Sequence, residues 1–179
     1  SYIPYTEDMP ANPYSVYGHS KLQGEKIALD HDHTIIIRTS WLYSVFGKNF
    51  PKTIHRLSKE KESLNVVFDQ VGTPTYAFDL ALAIMKIMDQ SIGKNHFEKG
   101  IYHYSNEGVC SWYGLAKIIA EKSHSTCKIH PIESKDYPTP VKRPFYSVLN
   151  KGKIKRTFNI EIPHWQESLN EFFKNLNNN

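Results

Sequence analysis

Apolar and polar positions follow two different periods along the chain, and together they predict a mixed α/β fold. The run TIIIRTS at 34–40 is apolar and β-branched, which is typical of a strand buried on both faces. Shorter strand patterns lie at 64–68, 100–105 and 127–132. Helical spacing predicts helices over 15–30, 49–61, 77–92, 111–123 and 163–176. Because strand and helix patterns alternate, the sequence favours an α/β or α+β architecture.

Two of these helix patterns carry more specific expectations. Asn49 is placed to cap the second helix, and Pro51 fits its first turn. The third helix pattern, at 77–92, is apolar nearly all round, so we expect a buried helix there.

Composition narrows the function classes. The 179 residues are 40% hydrophobic with a net charge of +4, which predicts a globular chain and no nucleic-acid partner. The densest basic cluster, at 151–156, is interpreted as a solvated helix face. No stretch approaches the ~18 apolar residues of a membrane span, so no membrane partner is expected. Cys110 and Cys127 have no CxxC partner, which disfavours a disulfide framework or a cysteine zinc site and fits a cytoplasmic protein.

The beginning of the chain and its glycines indicate a missing part. The chain opens without an initiator Met on a proline-rich loop, and it contains neither GxGxxG nor GxxGxxG. It therefore lacks the phosphate-binding turn of a dinucleotide-binding fold. We expect it to be the C-terminal portion of a longer protein.

A tyrosine and a lysine four residues apart are the first candidate for chemistry. Tyr17 and Lys21 are neighbours on one face of the first predicted helix. An ammonium close to a phenol favours the phenolate, so the phenol can exchange a proton with a carbonyl or alcohol oxygen. A second pair, Tyr113 and Lys117, has the same spacing. Because the chain contains 11 tyrosines, roughly one such pair is expected by chance. At least one of the two pairs is therefore expected to be structural.

The sequence around the first pair resembles the extended short-chain dehydrogenase/reductase family. The resemblance begins with NPYSVYGHSKLQGEK and IIIRTSWLY, and it continues in order through 49–75, 100–121 and 137–150. Within the family it is similar to the branch that reduces dTDP-4-dehydro-L-rhamnose to dTDP-L-rhamnose with NADPH or NADH. The resemblance favours the first pair as the functional one and the second pair as structural.

The resemblance implies roles at the cofactor end of the site. Tyr17 would donate a proton to the C4 carbonyl oxygen of the sugar. Lys21 would support that transfer and hydrogen-bond the nicotinamide ribose. Arg38, Thr39 and Ser40 follow the strand where the family lines the nicotinamide end of the cofactor.

It also implies a substrate set of Trp41, Asn49, Gln70 and Arg143. Trp41 would contact the deoxysugar, and its alternative is a core aromatic residue at a strand end. Arg143 would bind the diphosphate, since a guanidinium can bind two oxygens at once, and its alternative is a solvated surface position. Gln70 would line the nucleotide-sugar pocket or simply cap its own turn. His31 and His33 are interpreted as a solvated turn, so no metal site is predicted.

The resemblance implies a division of the chain and a set of partners. Residues 1–48 would hold the catalytic helix and a late strand of a Rossmann-like parallel sheet. Residues 49–179 would form mainly a small α+β substrate-binding domain, interleaved with the last Rossmann elements. A dTDP-sugar is the expected substrate, a homodimer is possible, and the chain alone should be inactive because its cofactor site is incomplete. The alternatives are a regulatory module similar to the beta subunit of methionine adenosyltransferase, and a nucleotide-sugar epimerase or dehydratase.

Overall fold

The computed structural model describes residues 3–92, 97–137, 139 and 143–177. Positions 138 and 140–142 of the proline-rich loop lie outside the described residues. The helices are α1 (Val16–Leu29), α2 (Phe50–Glu60), α3 (Ala77–Ser91), α4 (Trp112–Lys122), α5 (Gly152–Phe158) and α6 (Trp165–Asn177), with a 3-10 turn at Ser134–Asp136. The strands are β1 (Ile35–Arg38), β2 (Leu42–Tyr43), β3 (Ser63–Val67), β4 (Val71–Gly72), β5 (Thr75–Tyr76), β6 (Gly100–His103), β7 (Cys110–Ser111) and β8 (Lys128–Ile132). In these ranges no helix is long and apolar enough to cross a membrane.

The strands pair mainly in parallel, which confirms the predicted α/β class. β1 pairs with β6 and β3 pairs with β8, each in parallel and over the full length of the strand. β2 and β5 form a short parallel pair, and β4 and β7 form a short antiparallel one. Parallel pairing needs a long crossover connection, and the helices between the paired strands provide it.

Buried apolar residues form two separate clusters. The first packs α2, α4 and α6 around β3 and β8, with Leu115, Ile119, Leu169 and Phe172 at most 1% exposed. The second packs α3 and α5 against β6. The helix predicted at 163–176 is confirmed as α6, and its residues Trp165, Leu169, Phe172 and Phe173 lie in the first cluster.

One interaction stabilises the start of α1, and another holds the helix against β1. The Ser15 side chain caps the helix by accepting a hydrogen bond from the backbone N–H of Gly18. Glu25 on α1 accepts two hydrogen bonds from Arg38 at the end of β1, from Nε at 2.9 Å and from a terminal nitrogen at 2.6 Å. This bidentate pair fastens the helix to the carboxyl end of the strand.

Two expectations about burial are wrong, and a third holds only in part. β1 is half-buried rather than buried on both faces, since β6 is its one partner within the described residues. α3 buries Ala83 and Ile87 but exposes Met85 and Met88, so it is one-sided rather than buried all round.

The third difference is in the basic cluster at 151–156, which is only partly a solvated face, because Lys155 and Arg156 are exposed but Lys151 is not. Lys151 is buried and, with Lys155, forms an ion pair to the carboxylate of Glu107. Lys153 donates to the carbonyl oxygen of Ile101. The side chains of Lys151 and Lys153 thus bury their apolar stems and place the ammonium group on an acceptor, while Lys155 reaches Glu107 from the surface.

Candidate functional site

The tyrosine and lysine predicted to be catalytic lie side by side on α1. Tyr17 is 72% exposed, and the Lys21 ammonium lies 5.3 Å from the centroid of its ring. The helical spacing of four residues brings the two side chains together, as expected. The phenol is therefore open to a ligand, with a cation over its ring.

Of the three residues predicted to line the cofactor, Arg38 ends β1 in the structure, and Thr39 and Ser40 follow it. The ion pair with Glu25 raises the pKa of Arg38, chiefly through the hydrogen bond between them. The Thr39 hydroxyl lies 3.1 Å from the Thr75 hydroxyl, and the Ser40 hydroxyl donates to the carbonyl oxygen of Thr73. These contacts tie the end of β1 to the segment around β5.

A small cleft lies between α1 and the end of β1. Its volume is about 240 Å³, and its lining includes Lys21, Glu25 and Arg38 together with Asn12 and Gly18. The cleft lies at the carboxyl end of a parallel strand, which is where ligands bind in α/β folds. The cleft offers the Lys21 ammonium, while the Arg38 guanidinium in its wall is held by Glu25, and its size suits a ribose-sized group rather than a whole dinucleotide.

Trp41 adopts an unusual backbone conformation between β1 and β2. Its φ angle is 47°, in the left-handed region that few residues other than glycine adopt. Its indole stacks on that of Trp112, with ring centroids 3.6 Å apart and planes 10° from parallel. One face of the Trp41 ring is therefore covered by Trp112.

A larger cleft lies between α2 and β3. Its volume is about 600 Å³, and its lining includes Phe50, Gln70, Trp112 and Arg143. The side-chain amide of Gln70 donates to the Ser134 hydroxyl at 2.8 Å. The cleft thus combines aromatic rings, an amide and a guanidinium, which are groups that suit a base and a diphosphate.

Asn49 has a structural partner at each end of its amide. Its side-chain oxygen accepts from the backbone N–H of Lys52, and its nitrogen donates to the carbonyl oxygen of Ser44 at 2.6 Å. The predicted N-cap of α2 is confirmed. The amide is not among the groups that line the larger cleft.

The second Tyr–Lys pair lies on α4. Tyr113 packs against the first core cluster, while Lys117 is exposed. The two cysteines line neither of the clefts described above. Burial raises the pKa of the Cys110 thiol to about 12, and both Cys110 and Cys127 are free.

Four of the nine predicted site residues line one of the two clefts, whereas Tyr17, Thr39, Ser40, Trp41 and Asn49 line neither. Lys21 and Arg38 share the smaller cleft, and Gln70 and Arg143 share the larger one. Trp41 connects to the larger cleft through Trp112, which sequence reasoning did not select. Trp112 is the first residue of the amphipathic helix α4. An aromatic residue at such a position is typical of the core, so no signal in the sequence singles it out as a ligand contact.

Similarity to known structures first defines the class of protein. The structure superposes with a TM-score of 0.89 on a dTDP-4-dehydrorhamnose reductase from Bacillus anthracis in complex with NADP, at 36% identity. The match covers 96% of this chain and 59% of that one. The fold is thus that of the Rossmann-type sugar-nucleotide reductases.

The sequence then identifies the family. Residues 1–178 match the RmlD substrate binding domain, and the chain belongs to that family. It is 41% identical over 172 residues to the dTDP-4-dehydrorhamnose reductase of Sinorhizobium fredii, with 93% of this chain and 58% of that protein covered. It is also 41% identical over 172 residues to the spore coat polysaccharide biosynthesis protein SpsK of Bacillus subtilis, covering 96% and 58%. The chain therefore spans about 58% of the length of these relatives.

Proposed function

We propose that this chain carries the sugar-nucleotide site and the proton donor of an NAD(P)H-dependent reductase that converts dTDP-4-dehydro-L-rhamnose to dTDP-L-rhamnose. The observation that carries the proposal is the larger cleft, where Gln70 and Arg143 line one cavity with Trp112. The stack of Trp112 on Trp41 connects this cavity to the end of β1. The relatives named as dTDP-4-dehydrorhamnose reductases support the choice of substrate.

In this proposal the larger cleft binds the dTDP moiety. The planar guanidinium of Arg143 can donate to two oxygens of the diphosphate at once, which an ammonium cannot do. The Gln70 amide, whose nitrogen donates to the Ser134 hydroxyl, lines the same cavity. Trp41 then contacts the deoxysugar.

Tyr17 is the proton donor in the proposed reaction. When bound, NAD(P)H supplies the hydride that C4 of the sugar accepts. The Tyr17 hydroxyl gives its proton to the O4 oxygen, and the C4 carbonyl becomes an alcohol. The Lys21 ammonium next to the ring stabilises the phenolate that remains until it regains a proton from water.

The smaller cleft is the proposed place of the nicotinamide ribose. Lys21 offers a hydrogen-bond donor there, and Arg38 stands at the carboxyl end of β1. Thr39 and Ser40 are proposed to contribute to the same end. The sequence contains no glycine-rich phosphate-binding turn, so these residues fit the ribose end of the cofactor alone. A homodimer and a cytoplasmic location stay predictions.

Titration of dTDP into this chain by calorimetry tests the proposed substrate site. Wild type is expected to bind, and Arg143→Ala is expected to weaken binding about tenfold or more, because a charge-assisted hydrogen bond is lost. Arg143→Lys should restore little of the affinity. Equal affinity in all three proteins would contradict the proposed role of Arg143 in binding the diphosphate. Failure of the wild-type chain to bind would contradict the proposed substrate site.

A further inference from the structure

Two tryptophans far apart in sequence form one stacked unit. Trp41 follows β1, and Trp112 is the first residue of α4. Their centroids lie 3.6 Å apart with planes 10° from parallel. Such close contact over two whole indole rings fixes the orientation of each ring relative to the other.

The surroundings of Trp41 hold its ring against Trp112. A Cβ atom at Gly72 would lie 2.7 Å from the Trp41 ring, so only glycine at this position leaves room for the indole. The Trp41 carbonyl oxygen accepts a hydrogen bond from the Thr75 N–H at 3.1 Å. A left-handed conformation costs a non-glycine residue free energy, and it persists where neighbouring contacts over-determine it. The stack on Trp112 is one of those contacts.

Trp112 also belongs to the larger cleft. Its ring lines that cavity, and the Phe50 ring lies against it at 4.6 Å with a tilt of 55°. The Ser111 side chain caps α4 immediately before Trp112, which anchors the residue at the start of a rigid helix. The same indole therefore contacts the proposed nucleotide cavity and the proposed sugar contact.

We propose that Trp112 is a positioning residue, which orients Trp41 and thereby sets the extra affinity that the sugar adds to dTDP. This inference rests on the proposed function. It makes Trp112 and Trp41 one energetic unit: removing either ring removes the sugar's contribution to binding. Removing the second ring then adds no further loss.

A double-mutant cycle on this chain tests the inference. Calorimetry gives the ratio of dTDP to dTDP-L-rhamnose dissociation constants for wild type, Trp41→Ala, Trp112→Ala and the double variant. Each single variant is expected to lower that ratio by about threefold to tenfold, and the double variant should fall no further. Trp112→Phe should keep part of the ratio, because a smaller ring still stacks. Tyr113→Phe, the next residue on α4, is the matched control and should keep all of it.

Fluorine NMR of the chain labelled with 5-fluorotryptophan reports directly whether the two indoles are stacked in solution. Trp112→Ala should shift the Trp41 resonance, since the ring current of the stacked indole is lost, and Tyr113→Phe should not. An unmoved resonance, or losses that simply add in the cycle, would overturn the inference while dTDP binding still supports the proposed function. A wild-type chain that binds neither nucleotide would overturn the proposed function and the inference with it.

Discussion

At the scale of single residues, Asn49 shows how a predicted ligand can also be a structural cap. Its amide oxygen accepts from Lys52 and its nitrogen donates to Ser44. Asn49→Ala should lower the free energy of unfolding by about 1 kcal/mol in urea denaturation, since the α2 N-cap is lost. Asn49→Ser keeps a capping oxygen and should retain most of the stability. An Ala variant as stable as wild type would contradict the capping role.

The same Ser variant separates capping from substrate binding. It removes the amide while leaving a cap at the start of α2. A loss of dTDP affinity in Asn49→Ser, at retained stability, would support the substrate contact predicted from the sequence. Unchanged affinity would leave Asn49 as a cap.

His103, at the end of β6, should make stability depend on pH. Its ring is buried, with Nδ1 3.1 Å from the Tyr5 carbonyl oxygen, and its backbone N–H donates to Glu7. Burial lowers its pKa, and the nearby Arg38 adds to that shift, while the Glu7 carboxylate partly offsets it. The unfolded chain therefore binds a proton near pH 6.5 that the folded chain binds only at lower pH. The free energy of unfolding should consequently fall as the pH drops below about 6.5.

Urea denaturation between about pH 7.5 and pH 5.5 measures this dependence. His103→Gln should flatten the fall in stability on acidification. His55→Gln is the comparison: burial and Lys59 lower the pKa of His55 too, but it is less buried and should account for a smaller part. A slope that His103→Gln leaves unchanged would contradict the assignment.

At the scale of elements, α3 shows the limit of hydrophobic patterning. Ile87 is 3% exposed in the second core cluster, whereas its neighbour Met88 is 56% exposed. Ile87→Ala should cost about 2–5 kcal/mol of stability, because it leaves a cavity between α3 and β6. Met88→Ala is the matched control and should cost less than about 1 kcal/mol. Similar losses for the two variants would contradict the one-sided packing of α3.

Long, strongly patterned elements were predictable from the sequence, and very short ones were not. α1, α2, α4 and α6 lie close to their predicted ranges, because each carries an apolar stripe or a cap that acts locally. β4 and β5 have two residues each, within a segment whose turn residues dominate its pattern. Their pairing depends on partners distant in sequence, and no local signal carries that information.

The candidate site was predictable where chemistry depends on local spacing. The contact between Tyr17 and Lys21 follows from helix geometry alone. The stack of Trp41 on Trp112 joins positions 71 residues apart, so only the fold reveals it. The roles of all these residues in binding and catalysis stay predictions.

At the scale of the whole molecule, each of the two core clusters supports a different cleft. The first cluster packs behind the larger cleft, with Trp41, Phe50 and Trp112 on its margin. The second cluster supports β6. β6 pairs with β1, and β1 ends at the smaller cleft. In the proposed function, the first region binds the nucleotide-sugar and the second orients the residues next to the cofactor. Positioning of this kind supplies a large share of catalysis.

The most direct test of this account is the turnover of dTDP-4-dehydro-L-rhamnose by variants of Tyr17. This chain can replace the matching region of the Sinorhizobium fredii reductase, and oxidation of NADPH then reports activity. Tyr17→Phe should lower kcat by about 10²–10⁴-fold while the fold stays intact, because the variant loses only the phenolic proton. Tyr113→Phe, the same change in the second pair, should leave kcat close to wild type. Undiminished turnover in Tyr17→Phe, or a comparable loss in Tyr113→Phe, would contradict the assignment of Tyr17 as the proton donor.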